Sequence, residues 1–496
     1  MASPSSQPQD VPATPVQAEQ LQPENCGLAR SQRPSMKIRH ASPLAALAVL
    51  FIFAIATIGR SAPAGAQIWA GPNDACSADT LLGDWGGARA DLAQHGVGFG
   101  VQNQTELWGN MAGGRKQGIT YDGLLTADLC IDLDKAAQWK GATVYASGYQ
   151  IYGPGPTGVL VGALQFISNI EAVPSTKLYD LWLEQQLFDG KVSFRIGQEG
   201  SNDEMMLAGY AGLFLNSSFG YPAMLAIDLP SGGPNYPLAV PFVRINFTPT
   251  DEISLVGAVY TENPAPPGSG DAQLRDRHGT AFRLNDDTLA FTELWYSPAF
   301  LASQNLPGTY KLGMWIATGP FADPLHDAEG LSLANPASNG IALEHSTDYA
   351  FYAIVNQMLW RKPNTAAQGF GVFLQVMHAP DDRNLSDLFI EGGINWKGPL
   401  PGRSHDVAGI AVTYAGIGAA ARRNSQDAVF YTGSGSTLAQ GETVIEATYR
   451  LRLTPWIKLQ PDLQYVVNPG AGIPTAASPA PLKNALVAGV RVTIDF

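Results

Sequence analysis

Runs of about 10 to 12 residues in which every second side chain is apolar recur about sixteen times along this chain. In ALVAGVRVTIDF (485–496), Leu486, Ala488, Val490, Val492, Ile494 and Phe496 share one phase. Arg491, Thr493 and Asp495 occupy the other. TVIEATYRLRL (443–453) and WIKLQPDLQYVV (456–467) repeat the pattern and are joined at Thr454-Pro455, which reads as a hairpin. A period of two places one apolar face on a β-strand. Strands of soluble sandwiches run to about five or six residues, whereas tilted strands of about ten cross a bilayer.

The connections carry a second pattern. Short turns near 189–190, 249–251 and 454–455 alternate with long Gly/Pro-rich loops at 199–239, 262–284, 319–346 and 468–484. Short turns at one end and long loops at the other describe an outer-membrane barrel. The expected fold is an all-β, transmembrane antiparallel β-barrel of about 16 strands, spanning 96–496, preceded by a short helical segment within 67–95. Among the expected strands are 97–110, 309–318 and 347–360. A closed barrel pairs its last strand with its first, so 485–496 becomes the seam.

The apolar run 44–58 is too short to span a bilayer, follows Lys37, Arg39 and His40, and precedes the small-residue site Ala64-Gly65-Ala66. Residues 36–66 therefore read as a secretory signal peptide with Gln67 as the mature start. Residues 1–35 read as a disordered extension or a start placed too early. Cys76 and Cys130 remain after processing, and one disulfide or two free thiols both fit. The net charge of −13 argues against nucleic acid as a partner.

In a barrel the apolar phase meets lipid and the polar phase meets the lumen. Gln102, Gln104, Glu106 and Trp108 then face inward, as do Asp128, Cys130 and Asp132. The pore-lining candidates for solute binding are Trp182, Glu184, Arg195, Arg244, Glu293, Glu446, Arg450, Lys458 and Arg491. Phe291 shares the phase of Glu293 and Trp295 and blurs that assignment. A lumen of mixed sign with aromatic platforms suits neutral polyhydroxylated solutes. Sixteen strands are expected to enclose water rather than a packed core.

GDWGGARADLAQHGV (83–97), LFLNSSFGYP (213–222), LPSGGPNYPLAVP (229–241), HGTAFRLND (278–286) and LQPDLQYVVNPG (459–470) resemble, in this order, the OprB-type carbohydrate-selective porins of Gram-negative outer membranes. The resemblance runs from about Leu81 to Phe496. It implies a cell outer-membrane location and passive diffusion of glucose-like monosaccharides through a narrowing of charged and aromatic side chains and folded-in loops. A homotrimer fits porins of this size. In outer-membrane proteins similar to this one, an aromatic last residue, here Phe496, is read by the barrel-assembly machinery.

No cofactor or metal is expected. The histidines are scattered, and HExxH, CxxC and GxSxG are absent from the sequence. Gly153 to Gly158 matches GxGxxG, but its two prolines mark a loop. A barrel hydrolase would need a nucleophile beside a histidine, and the nearest set is His345, Ser346 and Asp348. Neighbouring strand residues point to opposite faces, which argues against it. A diffusion channel for other solutes is the remaining alternative.

Overall fold

The computed structural model describes residues 80–365, 368–475 and 480–496. The signal-peptide region, the preceding extension and Cys76 lie outside them, so the pairing of Cys76 with Cys130 does too. Sixteen antiparallel strands close into one barrel. They are β1 (Val97–Gly114), β2 (Gly118–Asp132), β3 (Ala142–Tyr152), β4 (Ser175–Leu187), β5 (Val192–Glu199), β6 (Val240–Thr250), β7 (Ile253–Thr261) and β8 (Thr288–Tyr296), followed by β9 (Gly308–Asp327), β10 (Ala342–Arg361), β11 (Gly369–His378), β12 (Ser386–Lys397), β13 (Val407–Ile417), β14 (Gly441–Arg452), β15 (Ile457–Val467) and β16 (Lys483–Asp495).

The outward phase is an apolar belt. Leu107, Ile196, Leu255, Leu312, Leu374, Ile410 and Leu463 are all exposed on it. Tyr121, Tyr349 and Tyr465 sit toward the long-loop end, and Tyr296, Trp360 and Trp396 toward the short-turn end. Two aromatic rows flanking an aliphatic band are the signature of a strand-crossed membrane. The hairpin at 188–191 turns through positive φ at Phe188, Asp189 and Gly190, a conformation that Gly adopts without steric penalty.

The seam is closed by pairing β16 with β1, from Gln102 opposite Asp495 to Gly114 opposite Lys483. The Trp108 ring covers the inner face of Gly489, where a Cβ would have no room. Below the seam, the helix Ala88–Gln94 inserts Arg89 against strand ends. Its Nη2 donates to the backbone oxygens of Phe99 (3.0 Å) and Phe496 (3.1 Å), and Phe496 N–H donates to Val101 (2.8 Å).

Two features depart from the sequence reading. The stretch 319–346 is not one long loop, because β9 and β10 continue as a paired hairpin, with Ala342 opposite Asp327. The interior is also not simply aqueous. The loops 153–174 and 200–239 fold inward, and Met205, Met206, Phe214, Phe219, Met224 and Leu225 pack against the wall residues Phe242, Phe291, Trp315, Tyr352, Phe373 and Phe389. Phe291 shares the inward phase of Glu293 because an apolar core, not water, covers that wall.

Candidate functional site

Strands β4, β5 and β6 bring three charges into register on the inner wall: Glu184 lies opposite Arg195, and Arg195 opposite Arg244. Two like charges side by side repel, and shared carboxylates resolve the conflict. Glu184 Oε2 accepts from Arg195 Nε (3.0 Å) and Nη2 (2.8 Å) and from Arg244 Nη2 (3.1 Å). Arg195 Nη1 reaches Glu199 (3.0 Å), and Arg244 Nε reaches Glu204 (2.7 Å). Arg244 Nη1 also donates to Ser193 Oγ. The Arg195 guanidinium lies 4.1 Å from the centre of the Trp182 ring, so one cation is held by an aromatic face and three acids, Glu184, Glu199 and Glu204, at once.

These residues face a cavity of about 3940 Å³ that is lined by both barrel ends, from Asp189 and Gly190 to Pro266 and Arg275. Trp182, Glu184, Arg195, Arg244, Arg450, Lys458 and Arg491 all border it. Fixed guanidinium and carboxylate groups at the cavity border can exchange directed hydrogen bonds with a sugar's hydroxyls. This part of the cavity wall carries two formal positive and three formal negative side chains, a mixed field.

Glu293 and Glu446 are placed differently from the sequence expectation. Both have 0% exposure and lie outside the cavity lining. Glu446 accepts from the backbone N–H of Leu215 (2.6 Å) and Asn216 (2.9 Å), and Glu293 from Met206 N–H (2.7 Å) and Tyr352 Oη (2.8 Å). Their phase is inward, but the folded loop covers them, and they satisfy amides that would otherwise be buried without partners. Glu442 acts likewise toward Leu164 and Gln165 (both 2.8 Å). Arg491 pairs with Glu106 Oε1 and also donates to Asn169 of the loop 153–174. Lys458 meets Asp495 at 3.0 Å.

The profile described as "Carbohydrate-selective porin, OprB family" matches residues 116–496. The chain belongs to that family. Among its relatives, Porin B of Pseudomonas aeruginosa is 25% identical over 469 residues, covering 91% of this chain and 98% of the relative. The putative porin QuiX of Acinetobacter baylyi is 23% identical over 451 residues, covering 86% and 95%. The high-pH structure of Pseudomonas putida OprB superposes with a TM-score of 0.74 at 20% identity, covering 85% of this chain and 99% of that one, a likeness of fold. As an OprB-family porin, the chain is a Gram-negative outer-membrane β-barrel for carbohydrates.

Within this porin, the sequence reading omitted Glu199 and Glu204. Glu199 was within reach, since it shares the period-two phase of Arg195 four residues away. Glu204 lies in the irregular loop 200–239, where no periodicity reports direction. The set His345, Ser346 and Asp348 does not converge: His345 Nε2 sits 3.6 Å from Asp323, while Asp348 accepts from Asn384 (2.8 Å). The GxGxxG stretch leads into one helical turn, Thr157–Val161, within the inward loop.

Proposed function

We propose that glucose-like monosaccharides diffuse passively through the lumen and are selected at the wall formed by Trp182, Glu184, Arg195 and Arg244. The observation that carries this reading is the Glu184–Arg195–Arg244 register beside the Trp182 ring, on the border of the cavity. Selection needs only pore width and directed hydrogen bonds, with no energy coupling and no catalytic step. Planar-bilayer conductance with glucose titrated in tests it. Glucose should partly block single channels, and Trp182→Ala should weaken that block. Channels indifferent to sugars would reduce the protein to a general porin.

The outward face of β1–β3 supports assembly with further copies, as in a homotrimer. Tyr152 Oη bonds Asn103 Oδ1 (3.0 Å) and Thr105 Oγ1 (2.7 Å) there, a polar patch in an otherwise apolar belt. Polar groups are costly against lipid, and a second copy would cover them. The mass of the detergent-extracted assembly tests this.

A further inference from the structure

A second group of cations lines the cavity on strands other than those of Glu184, Arg195 and Arg244. Lys397 on β12 and Arg450 on β14 occupy one row of the sheet, with Val407 of β13 between them. Two strand spacings separate their backbones by about 10 Å. Both side chains border the lumen cavity. Among the described residues neither meets a carboxylate. The charges that bear on Lys397 are Arg450 and Arg452, and the charge that bears on Arg450 is Arg491.

Four other strand cations that border the cavity do have acids. Arg195 and Arg244 share Glu184, Arg491 has Glu106, and Lys458 has Asp495. Like charges on one sheet face oppose folding, and a cation in a low-dielectric wall without an anion carries an unpaid desolvation cost. The missing anion can come from solute. Asn395 of β12, Gln460 of β15 and Thr493 of β16 border the same cavity; the Asn395 amide nitrogen donates to Tyr210 and that of Gln460 to Leu213 and Thr448, which leaves their side-chain oxygens to accept from hydroxyls. Of the strand acids that border the lumen, Asp128 lies on β2 and Asp180, Glu184 and Glu199 on β4 and β5, while Asp495 on β16 is taken by Lys458.

We propose that the inner wall of β12–β16 is a subsite for sugar acids: the carboxylate seats between Lys397 and Arg450, and the hydroxyls meet Asn395, Gln460 and Thr493. The inference rests on the carbohydrate reading above and adds a substrate class to the same lumen. A guanidinium offers paired donors that match a carboxylate. A neutral sugar draws no comparable Coulombic gain from two uncompensated cations.

The test uses the full chain in planar bilayers and liposomes, with glucose and gluconate measured side by side. Gluconate should block single channels at lower concentration than glucose. Lys397→Gln with Arg450→Gln should lower the gluconate-to-glucose permeation ratio by roughly three- to tenfold, and Lys397→Arg with Arg450→Lys should retain it. An unchanged ratio in the glutamine variant would overturn the proposal. So would a loss of chloride selectivity with the ratio intact, which marks a diffuse field rather than a subsite. If the glutamine variant does not insert, the unmodified channel decides: gluconate blocking no more tightly than glucose refutes the subsite. Glucose 6-phosphate preferred over gluconate would overturn the assignment to carboxylates. Absence of glucose permeation in the unmodified channel would instead strike the carbohydrate reading.

Discussion

Replacing Glu446 by Ala should open the lumen from within. Its two carboxylate oxygens each accept one backbone N–H, from Leu215 and Asn216, at a position with no solvent exposure. Removing them leaves two buried donors without partners, at about 1–3 kcal/mol each. The segment should then detach more readily by roughly 2–6 kcal/mol in total, which multiplies its open population by roughly 30-fold or more. Amide hydrogen exchange at Leu215 and Asn216 reports that population directly. The same loop carries Glu204, so its release also takes a carboxylate from Arg244, and single-channel conductance should rise while sugar block weakens. Glu446→Gln keeps one oxygen acceptor and should produce about half the free-energy effect. Unchanged exchange and unchanged conductance in Glu446→Ala would refute the view that wall carboxylates hold the loop.

Two further outcomes are expected. Arg89→Ala removes charged hydrogen bonds to Phe99 and Phe496, each worth about 1.5–3 kcal/mol; the barrel should melt at lower temperature in detergent, and an unchanged melting temperature would show that the seam does not depend on this clamp. Burial pushes the Glu171 carboxyl in the loop 153–174 up to about 8, from an ordinary value of 4.5. Because the fold favours the neutral form, this contribution is fully present below about 4.5 and is lost progressively up to about 8 as pH rises. Exchange at Thr157, whose N–H donates to Glu171 (3.2 Å), should therefore accelerate across that window beyond its intrinsic pH dependence, and Glu171→Gln should abolish the excess; exchange that follows only the intrinsic rate in the native chain would count against it.

The barrel was legible because its strands obey a two-residue period over lengths that few soluble folds use. The phase of Trp182, Glu184, Arg195 and Arg244 followed from that period, as did the pairing of 485–496 with the first strand. The strand ends were less legible at β9 and β10. Those strands continue beyond the apolar belt, where nothing forces alternation, and Pro320 and Pro324 make the sequence read as loop.

For Glu293 and Glu446 the same period was correct about direction and silent about cover. An inward carboxylate reads identically whether it meets water or a backbone amide. Which of the two it meets depends on where a distant loop of about forty residues lies, and loops carry no repeating phase to report it.

The sequence by itself therefore determined the closed antiparallel barrel, its lipid and lumen faces and the charged, aromatic character of its interior, because a bilayer imposes length and alternation on every strand it contacts. Only the tertiary structure decided which inward residues border the passage, which anchor the folded loops, and which cations are left without an acid. Those outcomes depend on contacts between residues hundreds of positions apart, such as Asn216 with Glu446 and Glu106 with Arg491, and local pattern holds no record of them.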